Sequence, residues 1–315
     1  MAYVCNHTLH TMIRAGVFGS GEILENALEL LRQHNGFLIT GCYSGGSIVN
    51  KHSVIQHYLM PEGLISVSEA LIITNNPGDF QDIIPLVLKS SRHLLIFPDY
   101  SLSFYQVDSM LKLAEEAGVV FYLHQDGIKE WMKDIAQKYC GKPEFIQVYS
   151  YINKLHLNQG NTIFNALYKA VTGVIKLNPI NLRKFHTNLV PYCSPDPLMT
   201  NVRLEFENGT SANITINSFF ERNDTKIEVF RNDCEAIIDP ILMELSIVNK
   251  NPNSSRTFKN PSDEKTSVFS EGLDGFALRL FSPGLNTDPF ESGIIAHKTA
   301  TKIINKFIPY PVRSV

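Results

Sequence analysis

Between about residues 13 and 123 the chain alternates short, continuous apolar runs with amphipathic stretches, and this alternation restricts the fold more than any other feature. The apolar runs are Ile13–Phe18, Gly36–Tyr43, Ala70–Thr74, His93–Phe97 and Val119–Leu123. Between them, Ile23, Ala27, Leu30 and Leu31 recur at helical spacing over residues 22–34, and Phe80, Ile83, Ile84, Val87 and Leu88 do so further on. Ser103 reads as the N-cap of a helix reaching about Ala117, where Gly118 stops it. Strands that are apolar throughout are buried on both faces, and helices inserted between them supply the cover. The expectation is a parallel sheet of the doubly wound kind.

After Asp126 the pattern changes. Residues 145–152, 201–206, 226–230 and 235–239 alternate apolar with polar, and Asn208-Gly209 is a hairpin turn into residues 211–219. Helical stripes occupy about residues 162–174 and 290–307, and the Asn-, Ser- and Pro-rich stretch 249–266 reads as a surface loop. The expected architecture is an N-terminal Rossmann doubly wound parallel sheet over residues 11–123. A C-terminal α/β domain with a large, mainly antiparallel open sheet follows over residues 124–315. Hydrophobic residues make up 44% and charged residues 19%, enough apolar surface to exclude disorder. A formal net charge of −3 argues against a nucleic-acid binder, which would carry a basic surplus.

The five cysteines, Cys5, Cys42, Cys140, Cys193 and Cys234, are far apart and form no C-x-x-C pair. They read as reduced buried thiols rather than a disulfide framework or a zinc site. The first ten residues lack the basic and apolar segments of a signal peptide, and no apolar stretch is long enough to span a bilayer. A cytoplasmic protein without membrane partners is expected.

Gly19-Ser20-Gly21 follows the first strand and opens the first helix. This is where a dinucleotide fingerprint places its tight turn and lets backbone approach a pyrophosphate. The third glycine is replaced by Leu24, whose bulk is expected to push the helix off the strand or to demand a local adjustment. The second strand ends at Tyr43-Ser44-Gly45, with hydroxyls where a ribose-gripping carboxylate would stand. Two explanations stay open. Either the lost carboxylate accommodates NADP, with Arg14 or Lys51 nearby, or the site has decayed or changed ligand. The candidate dinucleotide contacts are Gly19, Ser20, Gly21, Glu22, Ile23 and Ser44, with Thr74, Asn75 and Asn76 at the end of the third strand.

A nucleotide-type half followed by an open antiparallel half resembles the Gfo/Idh/MocA oxidoreductases over about residues 11–307. The stretches that carry the resemblance include IRAGVFGSGEI at 13–23, SSRHLLIFPDYSLS at 90–103, CGKPEFIQVYSY at 140–151 and VRLEFENGTSANITI at 202–216. The resemblance implies hydride transfer between NADP or NAD and a sugar- or polyol-like small molecule. It also implies a homodimer or higher homo-oligomer formed through the C-terminal sheet.

The family's Glu-Lys-Pro turn falls on Phe97-Pro98-Asp99, and its Asp-x-Gly-x-His helix on Asn165, Leu167 and Lys169. Lys169 and Asn165 share a helix face at i and i+4. They are the candidate catalytic pair, with His124 and Asp99 as possible partners and a buried, pKa-lowered lysine as the base. The alternative is a catalytically inactive relative that serves as a ligand-binding, regulatory or structural subunit. No P-loop, no nucleophile elbow and no metal-ligand set is present in the sequence. His52 with His57, and His7 with His10, do not make such a set.

Overall fold

The computed structural model describes residues 12–45, 55–74, 77–97, 101–124, 127–153, 163–190, 199–219, 223–249, 254–259, 268–282 and 288–307. The chain divides into two compact units, residues 1–124 with 266–287 and residues 125–265 with 288–315.

The first unit opens with strand β1 (Ile13–Phe18), helix α1 (Gly21–Gln33) and β2 (Phe37–Tyr43), followed by α2 (Pro61–Val67), β3 (Ala70–Ile73) and α3 (Ile83–Lys89). It continues through β4 (His93–Ile96), α4 (Phe104–Ala117) and β5 (Phe121–Leu123). Its five strands are parallel and ordered β2-β1-β3-β4-β5. The buried runs Val17–Phe18, Ala70–Ile73 and Leu94–Ile96 account for the continuous apolarity of the strands. Beyond β2, His57 makes a single parallel bridge to Cys42, in the place where a Rossmann sheet has a further strand. Gly41 permits that approach, because a Cβ there would lie 2.6 Å from the Gln56 carbonyl oxygen.

Helix α4 starts as expected. The Ser103 hydroxyl accepts from the Gln106 N–H at 3.3 Å, and the Gln106 side chain accepts from the Ser103 N–H at 2.8 Å. This is a complete capping box. Gly118, in the left-handed conformation, ends the helix.

The second unit contains α5 (Glu130–Cys140), β6 (Phe145–Tyr151), α6 (Ile163–Leu177), β7 (Leu182–Val190), β8 (Met199–Phe206) and β9 (Ser211–Asn217). It goes on through β10 (Asp224–Arg231), β11 (Cys234–Asp239), β12 (Glu244–Asn249) and β13 (Arg256–Lys259). Eight strands form one sheet in the order β13-β12-β11-β10-β6-β9-β8-β7, antiparallel except between β6 and β9. Alternate residues are buried, among them Val202, Leu204 and Phe206 on β8 and Ala212, Ile214 and Ile216 on β9. The core also takes Leu167, Val171 and Val174 of α6.

Two further helices complete the chain: α7 (Val268–Phe281) in the first unit and α8 (Asp288–Ile304) in the second. The assignment of α7 corrects the expected single C-terminal domain over 124–315. Leu273 and Phe276 of α7 are buried, Phe276 stacks on Phe37 at 6.0 Å, and the helix packs on α1 and β4. Two other expectations change. Residues 256–259 form β13 inside the stretch read as a loop. Cys140 and Cys234 form a disulfide across 94 residues, joining the end of α5 to the start of β11, which corrects the expectation of reduced thiols. The cysteine argument for a reducing compartment falls with it. Cys5 and Cys193 lie outside the described residues. Among the described residues no helix is long and apolar enough to cross a membrane.

Candidate functional site

In a doubly wound sheet the ligand crevice opens beyond the strand ends where the strand order reverses. Here β1 is that strand, since the chain runs outward to β2 and then returns to β3 on the other side. The glycine turn occupies this point. The Gly19 N–H donates to the Tyr43 carbonyl at 3.1 Å, which ties the turn to the end of β2. Across β1, Thr74 donates its backbone N–H and its hydroxyl to the Phe18 carbonyl, at 3.0 and 3.2 Å. Ser44 and Thr74 are both buried.

Gly21 has φ +61°, so the turn needs glycine for its conformation, and the space around its missing Cβ is open. Ser20 is the N-cap of α1, and its side chain makes no capping hydrogen bond, as at α2, α3 and α5 and unlike Ser103 at α4. Glu22 and Ile23 are exposed in that first turn.

Leu24 is fully buried in the core, so its bulk is absorbed. The tight helix–strand approach expected of the third glycine occurs instead at Gly16 of β1. A Cβ there would lie 2.7 Å from both Leu64 and Ser68 of the α2 segment. Arg14 does not serve the ribose end. It lies at the start of β1, roughly 13 Å from Phe18 at about 3.3 Å per residue. There its guanidinium faces Glu69 at 3.4 Å and its N–H bonds the same carboxylate, which holds Glu69 below the usual carboxylate range. Lys51, Asn75, Asn76 and Asp99 lie outside the described residues.

His124 follows β5, its N–H bonded to the Ile96 carbonyl at 3.0 Å. It is buried with its ring centroid 5.3 Å from that of Phe97. Phe97 in turn stacks on Phe269 of α7 at 5.4 Å. The place of the resembling family's glutamate is thus taken by an aromatic that holds α7. The Cys42 thiol lies 3.2 Å from His57 Nε2, but burial pushes it up to about 11, so this pair is no activated nucleophile.

In the second unit, α6, the end of β6, the start of β10 and the turn after β11 enclose a cavity of about 300 Å³. Asn165 and Lys169 both line it, as their i, i+4 spacing requires. Lys169 is exposed, so the burial expected of a base-like lysine is not found within this unit, and Asn165 is half-buried. Leu167, at the family's glycine position, is core. Sequence reading missed the polar wall opposite. There Ser150 and Thr225 bond hydroxyl to hydroxyl at 2.9 Å, flanked by Tyr151 and Asn223. The alternation of β6 announced a strand but not which face meets a cavity. Also missed was the buried bond between the Tyr168 hydroxyl and His297 Nδ1, at 2.8 Å between α6 and α8. Among the described residues no group of three or more His, Cys, Asp or Glu is placed to hold a metal.

No protein-family model and no curated protein matches the sequence. Solved structures do match, at low identity. UDP-N-acetylglucosamine 3-dehydrogenase GnnA from Acidithiobacillus ferrooxidans superposes with a TM-score of 0.77 at 14% identity, over 93% of this chain and 97% of its own. Biliverdin reductase from Synechocystis sp. PCC 6803, solved with biliverdin and NADP+, gives 0.74 at 13% identity over 95% and 100%. A Gfo/Idh/MocA family oxidoreductase from Vibrio cholerae gives 0.72 at 13% identity over 94% and 98%. The chain therefore has the two-domain fold of these oxidoreductases.

Proposed function

We propose that the chain is a nicotinamide-dinucleotide-dependent oxidoreductase acting on a small hydroxylated substrate. The observation that carries this reading is the glycine turn at the switch point, where Gly19 is tied to the end of β2 and Gly21 has φ +61°. Backbone N–H groups at a helix N-terminus suit a pyrophosphate. Gly19 and Gly21 would cradle it, with Ser44 and Thr74 at the flanking strand ends. The fit is good for a diphosphate. It leaves the choice of NAD or NADP to the 2′ position, where Ser44 neither grips nor repels.

A bound nicotinamide supplies the hydride-accepting carbon for oxidation of an alcohol. Lys169 takes the part of proton partner to the substrate hydroxyl, and Asn165 orients that hydroxyl by hydrogen bonding. Self-association through the eight-stranded sheet belongs to the same reading, and light scattering would measure it. The structural neighbours include a UDP-N-acetylglucosamine 3-dehydrogenase and a biliverdin reductase solved with NADP+, in agreement with this class.

A second reading, a fold kept for ligand sensing without turnover, draws on Phe97 and its aromatic stack at the family's Glu-Lys-Pro position. It also draws on the exposure of Lys169. Thermal unfolding with NAD, NADH, NADP and NADPH tests the first reading. A ligand at a hundredfold excess over its Kd stabilises the protein by about 2.7 kcal/mol. No shift with any of the four contradicts it. A shift without turnover on any polyol or sugar favours the second.

A further inference from the structure

We infer that the hydroxyl pair Ser150–Thr225 makes the cavity of the second unit selective for a vicinal diol with gauche oxygens. A sugar or cyclitol ring offers that arrangement, and a lone alcohol does not. This selectivity rests on the reading of the cavity as the substrate site and narrows its substrate class. The volume of about 300 Å³ is at the lower end of small-molecule sites, which run from about 300 to 1,000 Å³, so a single ring fits. Ile227 and Ile241 offer apolar surface to its C–H face.

Ser150, near the end of β6, and Thr225, near the start of β10, are directly opposed in the antiparallel ladder, and both line the cavity. Ser150 is buried, Thr225 is half-buried, and their hydroxyl oxygens stand 2.9 Å apart. Two hydroxyls carry two protons and four lone pairs, and the bond between them uses one of each. Among the described residues no other side-chain hydrogen bond reaches either oxygen, so one O–H donor and three acceptor sites remain for a ligand. A group that only accepts, such as a carboxylate, takes that donor but meets the second oxygen lone pair to lone pair. A group that donates and accepts satisfies both. A lone hydroxyl does so only by closing a ring of three oxygens, in which every O–H···O bond is strongly bent. The oxygens of a gauche vicinal diol stand roughly one such bond length apart, about 2.8 Å, close to the spacing of the protein pair. They close a ring of four, in which each oxygen donates once and accepts once through straighter, mutually reinforcing bonds. A trans-diaxial diol holds its oxygens too far apart to close that ring.

The test is calorimetric binding of D-glucose, D-galactose, D-mannose and myo-inositol, followed by the monodeoxy analogues of whichever binds most tightly. Removing either of two adjacent hydroxyls should weaken binding by about tenfold or more, because it opens the ring and leaves a protein hydroxyl unpaired. That penalty should vanish in Thr225→Val and in Ser150→Ala and return in Thr225→Ser, while penalties at other positions of the ligand stay. A role in folding alone would weaken all analogues alike. Circular dichroism checks that each variant folds.

Binding by none of the four overturns the inference. So does the lack of any adjacent pair of sensitive hydroxyls, or a penalty at such a pair that survives Thr225→Val. Titration with NADPH and NADH alone is run in parallel. Dinucleotide binding without the diol pattern defeats the substrate class and leaves the oxidoreductase reading intact. The diol pattern without dinucleotide binding defeats the oxidoreductase reading and leaves diol recognition by Ser150 and Thr225 standing.

Discussion

Thr74 donates twice to the carbonyl of Phe18, through its backbone N–H at 3.0 Å and its hydroxyl at 3.2 Å. The bond pair joins the ends of β1 and β3 at the point where the strand order reverses, and so fixes one wall of the crevice proposed for the dinucleotide. Thr74→Val keeps the shape and removes the hydroxyl. A net hydrogen bond is worth about 0.5–1.5 kcal/mol, and the urea midpoint should fall accordingly. Dinucleotide affinity should fall with it. A variant with unchanged midpoint and affinity would show that the hydroxyl has no positioning role.

Glu22 places a negative charge in the first turn of α1, where it is exposed. That charge favours the helix and opposes a diphosphate at the same positive end. Charges there are worth about 0.3–1 kcal/mol, so Glu22→Gln should tighten NADPH binding by about two- to fivefold at low salt. The gain should shrink as salt is raised. Weaker binding in this variant would place the pyrophosphate elsewhere.

Cys140 and Cys234 are joined, while Cys42 is a free, buried thiol. In denaturant, Cys140 and Cys234 should react with a thiol reagent only after reduction, as peptide mapping of the labelled protein would show. Closing a loop of this length stabilises a fold by about 3–5 kcal/mol in the chain-entropy account. Cys140→Ser should lower the unfolding midpoint, and adding reductant to that variant should cause no further loss. In the native protein at pH 8, Cys42 should resist alkylation, because burial holds its thiol at about 11.

His93 is part-buried, its Nδ1 accepts from the Val120 N–H at 3.0 Å, and burial lowers its pKa below the ordinary value. The folded state therefore favours the neutral ring. Below about pH 6.5 the unfolded chain takes up the proton first. Stability from this group is present above that pH and is lost as pH falls through the lowered value. His93→Asn offers an acceptor that does not titrate. Between pH 7 and 5 the wild-type unfolding free energy should fall more steeply than that of the variant. Parallel curves would assign the acid sensitivity to other groups.

The parts of this fold that carry their own local signals are those the sequence made readable. Ser103 and Gly118 mark both ends of α4, and strands buried on both faces declare the parallel sheet. Helix α7 was missed because Gly272 and Gly275 interrupt its stripe, and its place in the first unit depends on contacts with Phe37 that no local pattern encodes. Strand β13 is an exposed edge with no buried face, so it shows no alternation. The disulfide joins residues 94 apart and is a matter of tertiary proximity alone. At the site, helical spacing was enough to bring Asn165 and Lys169 into one cavity. The exposure of Lys169 and the packing of His124 against Phe97 depend on neighbours remote in sequence, whereas the distance of Arg14 from the glycine turn follows from the length of β1 alone.

Calorimetric titration of the chain and of Gly21→Ala with NADPH and NADH decides whether Gly19–Gly21 holds the phosphates of a nicotinamide dinucleotide. Gly21 has φ +61°, which costs a residue with a Cβ about 1–2 kcal/mol, while the space beside it is open. At least one dinucleotide should bind the wild type saturably, and the variant at least about tenfold more weakly. Absence of binding to the wild type, or equal affinity in the two proteins, would contradict it.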